Sequence, residues 1–340
     1  MRIEDVKTRL RSAGAGPRHE TLALRAWVRG LQLDAFAQKT HTAFPKSLIA
    51  ELPAIQAELA NLARVRSEHT GEDGSARLVL ELADGQTIES VLLPNDGVCV
   101  SSQAGCAVGC TFCMTGTLGL LRQLGSAEIV AEVALARSRC TIRRVVFMGM
   151  GEPAHNLENV LEAIELFGGE GALGHKNLVF STVGDRRVFE RLPQGPVKPA
   201  LALSLHTTKA ALRAELLPRA QRFDPEELVE LAQAYSRATT YPIQYQWTLL
   251  EGVNDGDDEL DRLAQLLRGQ YALVNFILYN KVDGLPHTRT APERAREIIR
   301  GMMQRGVLAK LRVSAGQDVD GGCGQLRARV VAGSLTGGKR

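Results

Sequence analysis

The spacing of apolar residues changes twice along the chain. Over the first 66 residues they recur every three or four positions, in LALRAWVRGL and in SLIAELPAIQAELANLARV, which gives a helix one buried face. RLVLELADGQTIESVLLP then alternates apolar and polar residues around Asp84-Gly85, which predicts a hairpin whose two turn residues both take positive φ. Beyond it, short apolar runs alternate with amphipathic stretches: RRVVFMG (143–149), NLVFSTV (177–183), ALALSL (200–205), IQYQWTL (243–249), LVNFIL (273–278) and KLRV (310–313). Two of the intervening helices carry start signals. Asp224-Pro225-Glu226-Glu227 supplies an N-cap, a proline at the first helical position and an acidic first turn, and Thr290 with Glu293 has capping-box spacing. Repeated βα units of this length predict an α/β fold with a parallel sheet, either doubly wound or curled into a full or partial barrel, with ligands at the C-terminal strand ends. The expected division is a helical module over 1–75, a hairpin linker over 76–95, a βα domain over 96–331 and a disordered tail over 332–340.

Composition narrows the class. With 44% hydrophobic and 23% charged residues in 340, the chain can bury a large core, and no apolar run approaches the ~20 residues of a membrane span. MRIEDVKTRLRSAG carries acids and no apolar segment, unlike a secretory signal, so a cytoplasmic protein with no membrane partner is expected. Net charge is +3, but residues 1–66 hold eleven Lys or Arg against six Asp or Glu, a basic tilt that fits either an anionic partner or a solvated helical surface.

A reducing compartment makes clustered thiols metal ligands or catalysts rather than staples. Four of the six cysteines fall within residues 99–116, in CVSSQAGCAVGCTFCMTG. Cys106, Cys110 and Cys113 follow a short strand at the spacing C-x3-C-x2-C. Three thiols leave one coordination position open if the metal centre is an iron–sulfur cluster. Spacing alone also admits zinc, with Cys99 or a histidine as fourth ligand, and chance clustering. GMGEP directly after the strand RRVVFMG puts Gly151 and Glu152 at a strand end. Ser181, the run Ser204-Leu205-His206 and Asn280 occupy three more. One polar residue there is commonly a helix cap, but four in one βα series fit a shared ligand.

The cysteine spacing, with Phe112 before the last thiol, resembles that of the radical S-adenosylmethionine (SAM) enzymes. CVSSQAGC, FMGMGEP, FSTVG, SLH, LLEGVND and G.D.D..CGQL, all present and in order between residues 20 and 331, resemble the RlmN/Cfr family of radical-SAM RNA adenine methyl synthases. The resemblance implies a partial (βα) barrel and a [4Fe-4S] cluster on Cys106, Cys110 and Cys113 whose free iron binds SAM, two SAM being used per turnover. It further implies cofactor contacts from Gly151, Glu152, Ser181, Ser204, Leu205, His206 and Asn280. Cys323 is then methylated, Cys99 resolves the adduct through a transient disulfide with Cys323, and Glu89 (in E-x-V-x-x-P) accepts the proton. The implied partners are RNA, 23S rRNA first and tRNA second, held in part by the basic N-terminal module, and a flavodoxin or ferredoxin reductant, with the enzyme a monomer. Read without the family, Cys323 is a lone thiol among Gly321, Gly322 and Gly324, and Glu89 a strand carboxylate. Cys140 matches nothing functional.

Three segments depart from the family pattern: Met114-Thr115-Gly116-Thr117-Leu118-Gly119-Leu120, Gly321-Gly322 and Lys281-Val282-Asp283-Gly284. They bear on the substrate more than on the mechanism. Methylation of adenine C2 is the expected activity. The rivals are C8 methylation or another RNA, radical chemistry on a protein or small molecule, and a non-catalytic metal-binding RNA-interaction protein.

Overall fold

A computed structural model describes residues 1–117 and 119–327, so the tail expected at 332–340 lies outside the described residues. Four helices open the chain, α1 (Ile3–Ser12), α2 (Pro17–Val28), α3 (Leu33–Lys39) and α4 (Lys46–Ala60). Strands β1 (Ala63–Thr70), β2 (Ala76–Leu82), β3 (Thr87–Leu93), β4 (Gly97–Cys99) and β5 (Gln103–Gly105) follow. The cysteine loop leads into the single turn α5 (Met114–Thr117) and β6 (Leu120–Gln123). Then come α6 (Ser126–Arg139), β7 (Arg144–Phe147), α7 (Leu157–Gly168), β8 (Leu178–Thr182), α8 (Arg186–Arg191), β9 (Ala200–Ser204) and α9 (Ala210–Leu216). The chain continues through α10 (Pro225–Thr239), β10 (Ile243–Leu249), α11 (Asp257–Leu266), β11 (Ala272–Leu278), α12 (Pro292–Gln304) and β12 (Ala309–Arg312).

Ten strands form one sheet in the order β1-β2-β3-β4-β7-β8-β9-β10-β11-β12, and β5 and β6 form a separate pair. From β4 to β12 every neighbour is parallel, whereas β1 to β4 pair antiparallel. The parallel part is a partial barrel, with β12 the last strand of the sheet among the described residues. Strand composition explains its two sides. In β10, Tyr245 and Trp247 are fully buried, while Gln246 and Thr248, on the opposite face, line a cavity. In this strand the polar residues therefore look into the barrel and the aromatic ones pack outward.

The helical pattern overshoots its end. Ala63-Arg64-Val65-Arg66, expected in a helix, lie in β1, which pairs with β2 through a second hairpin at 71–75. The strand carries no legible apolar alternation, because most of β1 faces solvent and its residues are polar. At the predicted hairpin only Gly85 has positive φ (82°), and its N–H bonds Leu82 O while Leu82 N–H bonds Gln86 O. That is a three-residue loop, a type I turn closed by a left-handed glycine, rather than a two-residue turn. Asp224 and Pro225 start α10 as expected. Thr290 does not cap α12: the N-cap is Ala291, and the Thr290 hydroxyl donates to Asp255 at 2.9 Å.

The helical module does not stand apart. Its buried residues, among them Val6, Leu24, Trp27 and Leu52, belong to one continuous core with the barrel. Ile3 N–H donates to Ser126 Oγ (2.9 Å) at the start of α6, and Arg137 of α6 reaches Val28 O (3.1 Å). Gly30 marks the closest approach, since a Cβ there would lie 2.5 Å from Ser138 N, and its φ is +69°. Gly85 has the same backbone conformation with open space around it. G30A is therefore expected to destabilise the protein by about 2–4 kcal/mol and G85A by only about 1 kcal/mol, the difference being the backbone collision. Denaturant midpoints of the two variants check this, and equal losses would remove the close approach as the cause.

Candidate active site

The site lies where the parallel strands end. A cavity of about 930 Å³, its open mouth included, is lined by Cys106, Cys110, Phe112 and Cys113 from the cysteine loop and by Gly151 and Glu152 after β7. Ser181, Ser204, His206 and Asn280 add their side chains from the ends of β8, β9 and β11, and Cys323 and Gly324 close the wall. The loop needs no regular element to bring its thiols together. Cys106 N–H bonds Gly119 O (3.0 Å), Cys113 N–H bonds Cys110 O (3.1 Å) and Gly116 N–H bonds Cys113 O (3.1 Å). Phe112 packs edge-on against His206, with ring centroids 4.9 Å apart.

Electrostatics sets the state of these groups. Burial, reinforced by the neighbouring thiols, pushes Cys106 up to about 12 and also raises Cys110 and Cys113, so without a metal centre the thiols hold their protons. Arg213 is buried beside them, its guanidinium lowered to about 10 by burial against the pull of Cys110 and Glu152. It donates to Val183 O and to Ser204 O (3.3 Å). Glu152 is raised to about 7 by burial and accepts Ala154 N–H (3.1 Å) and Val183 N–H (3.0 Å). Burial lowers His206 to about 3, so its ring is neutral. Its Nδ1 accepts the Thr248 N–H (3.0 Å), which leaves the proton on Nε2.

Among the described residues, no group of three or more His, Cys, Asp or Glu is arranged to hold a single metal ion, so the three thiols do not form the closed tetrahedral set that zinc takes. A four-iron cluster differs in giving each cysteine its own iron. The donor set fits such a cluster in other ways too: the thiols share one cavity, a buried cation stands beside them to offset thiolate charge, and Asn280 Oδ1 is buried without a partner in the same wall.

Cys323 lines this cavity and also a smaller one shared with Leu93, Cys99, Val146 and Arg312. Its loop is stitched to the cysteine loop. Met114 N–H donates to Gly324 O (2.7 Å), Thr115 Oγ1 to Leu326 O (2.7 Å) and Asn280 Nδ2 to Cys323 O (3.0 Å). Burial, then proximity to Cys323, raises Cys99 to about 12. Both thiols are free. Leu205 and Glu89 line neither cavity. Leu205 is fully buried and its N–H bonds Gln246 O (3.1 Å). Glu89 is buried in β3, ion-paired with Arg77, and accepts the Arg327 N–H (2.7 Å), so it anchors the chain that leaves the Cys323 loop. Sequence reasoning missed Arg213, Gln246 and Arg312. Arg213 sits on a helix with no motif around it, but Gln246 and Arg312 were detectable as polar residues on apolar strands.

A partial parallel barrel with three cysteines at its mouth and polar strand ends around one cavity defines an enzyme of the radical SAM class. Residues 100–265 match the Radical SAM superfamily. A protein of Aromatoleum aromaticum named a probable RNA methyltransferase is 68% identical over 337 residues, 99% of this chain and 95% of its own. One of Leptothrix cholodnii with the same name is 64% identical, over 98% and 96%. The crystal structure of a radical SAM methyltransferase from Sphaerobacter thermophilus superposes with a TM-score of 0.84 at 33% identity, covering 97% of this chain and 98% of that one. The chain belongs to the radical SAM superfamily and, within it, to the family of these relatives.

Behind Cys99, Glu132 of α6 is buried. Its Oε2 accepts the Ser90 hydroxyl and the Ser101 N–H (3.1 Å), and Oε1 has no partner among the described residues. Burial raises it from its usual 4.5 to about 8. Between those values the folded protein keeps a proton that the unfolded chain has released, so stability falls as pH rises through the window. E132Q is expected to flatten that fall, its advantage over the wild type growing from pH 5 to pH 8. Denaturation midpoints at the two pH values measure it, and parallel slopes would mean that Glu132 is ionised in the fold.

Proposed function

We propose that this chain methylates an adenine carbon of RNA, C2, through an S-methyl intermediate on Cys323, with 23S rRNA as first substrate and tRNA as second. The observation that carries the reading is the position of Cys323, which shares one cavity with Cys106, Cys110 and Cys113 and another with Cys99. The RNA substrate is carried over from relatives up to 68% identical.

Cys106, Cys110 and Cys113 would hold a [4Fe-4S] cluster. Gly151, Glu152, Ser181, Ser204, His206 and Asn280 would surround SAM, with buried carboxylate and amide oxygens suited to its ammonium. When bound, the cluster and SAM supply a 5′-deoxyadenosyl radical, which an adenine carbon requires because it is no nucleophile toward ordinary methyl transfer. Cys323 takes the methyl of a first SAM by displacement, losing its thiol proton. After hydrogen-atom loss from the S-methyl group its carbon would add to the base, held out of any duplex so that its edge is exposed. The adduct would then give up its odd electron to the oxidised cluster and its C2 proton to a base, and the methylene carbon would take a proton when its bond to sulfur breaks. Cys99 then attacks the Cys323 sulfur, which frees the methylated RNA and leaves a disulfide for cellular thiols to reduce. Glu89 would serve as proton acceptor only after leaving Arg77 and the Arg327 amide. A flavodoxin or ferredoxin is the reductant class that the cluster calls for.

Nucleoside mass spectrometry tests the reading on 23S rRNA and tRNA treated with anaerobically reconstituted chain, SAM and a reductant. 2-Methyladenosine is expected, 8-methyladenosine would move the activity to C8, and SAM cleavage with neither product would reject the substrate. The reconstituted chain is expected to carry about four irons. C110A is expected to lose that iron, while C323A keeps iron and SAM cleavage but loses product. C99A is expected to accumulate a covalent protein–RNA adduct, visible on a denaturing gel.

A further inference from the structure

Strand β12 faces β7 across the barrel. The Arg312 guanidinium donates to Met148 Sδ and to Gln246 Oε1, each at 3.3 Å. Side chains alternate along a strand, so Lys310 shares the side of Arg312, and Val146 and Arg144 share the side of Met148. Val146 obeys this rule, lining the small cavity with Met148 and Arg312. Arg144 and Lys310 accordingly face each other one level below Arg312, and the mutual electrostatics agrees. Lys310 is held below its ordinary range by burial and then by Arg144 and Arg312, and Arg144 by burial and then by Arg312.

Among the described residues none of these three cations has an ion-pair partner, and two of them, Arg144 and Arg312, each depress the pKa of another of the three. Asp96, whose backbone carbonyl accepts the Arg144 N–H (3.1 Å), gives its carboxylate to Arg143 instead. Arg144 and Lys310 are exposed, so solvent reaches the gap between β12 and β7 at this level. Three like charges without a counter-charge repel one another, and an anion between them would remove that cost.

We propose that Arg144 and Lys310 form an anion site on the barrel's inner wall that takes a phosphodiester of the polynucleotide beside the nucleotide in the cavity. The proposal rests on the RNA substrate proposed above. Arg144 precedes Met148 by four residues, roughly 13 Å of strand at ~3.3 Å per residue. The carboxylate of a SAM held at the cysteine loop and Glu152 is therefore the poorer fit, whereas Arg144 and Lys310 lie one side-chain step from Val146 and Arg312 respectively, which line the cavity that Cys99 and Cys323 share.

Salt-dependent binding of the reconstituted full chain to a short adenine-bearing RNA stem–loop tests it. Removing two phosphate contacts in R144A/K310A is expected to lower the slope of log affinity against log salt by about 1.4–1.8, a loss of about 25- to 60-fold near 0.1 M. K310Q alone should give half the slope change, and SAM affinity by calorimetry should stay unchanged in both. Neutral methylphosphonates flanking the target adenine should weaken wild-type binding and leave R144A/K310A unaffected. A wild-type slope in R144A/K310A overturns the site. Lost SAM affinity with an unchanged RNA slope also overturns it, by giving the cations to the cofactor carboxylate. A wild-type chain that binds no RNA at any salt overturns both this site and the RNA substrate itself.

Discussion

Everything at the site depends on a hydrogen-bonded stitch between two loops far apart in sequence. The Thr115 hydroxyl reaches Leu326 O across 211 residues, and beside it Met114 N–H donates to Gly324 O. Both bonds are made by the turn that immediately follows Cys113, so the thiol trio and Cys323 are positioned against each other. Asn280 adds the third point, bonding Cys323 O and Ser314 Oγ while leaving its own Oδ1 free in the cavity wall. Bonds to the backbone carbonyls of Cys323, Gly324 and Leu326 suit this purpose because they position a glycine-flanked loop without fixing the cysteine side chain.

Buried polar groups hold the floor beneath. Gln103 accepts the Glu152 N–H (2.8 Å), and the Ser101 hydroxyl donates to Glu89 O (2.7 Å) and accepts the Met150 N–H (2.9 Å). These bonds join the strand that leads into the cysteine loop to the GMGEP turn, so two motifs separated by a whole helix move as one. Unpaired, such groups would each cost about 1–3 kcal/mol, and that penalty specifies the arrangement.

Charge is divided by location. On the outer surface arginines pair with carboxylates, as Arg9 does with Glu51 and Glu58, and such exposed pairs add little stability. The basic tilt of the first 66 residues is in this way partly neutralised in the fold, and Arg11 and Arg25 are engaged by Glu20 and Glu170. Arg144, Lys310 and Arg312, which have no carboxylate partner among the described residues, lie on the inner barrel wall, a placement that net charge could not reveal.

The sequence by itself determined the class of fold and the convergence of the cysteine loop, because both rest on local signals. Strand and helix periods are set by neighbours a few residues away, and Cys106, Cys110 and Cys113 lie close enough in the chain to converge wherever their loop sits. Ser181, Ser204, His206 and Asn280 were legible for a related reason: parallel strands deliver their C-terminal ends to one place. Pairing β1 with β2 was decided only in three dimensions, since an exposed strand carries no apolar alternation to read. So were the burial of Leu205, the ion pair that ties down Glu89, and the roles of Arg213, Gln246 and Arg312. Each of these depends on which side chains from distant segments meet. The curl of the sheet, which sets β12 against β7 and Cys323 between two cavities, decides that meeting.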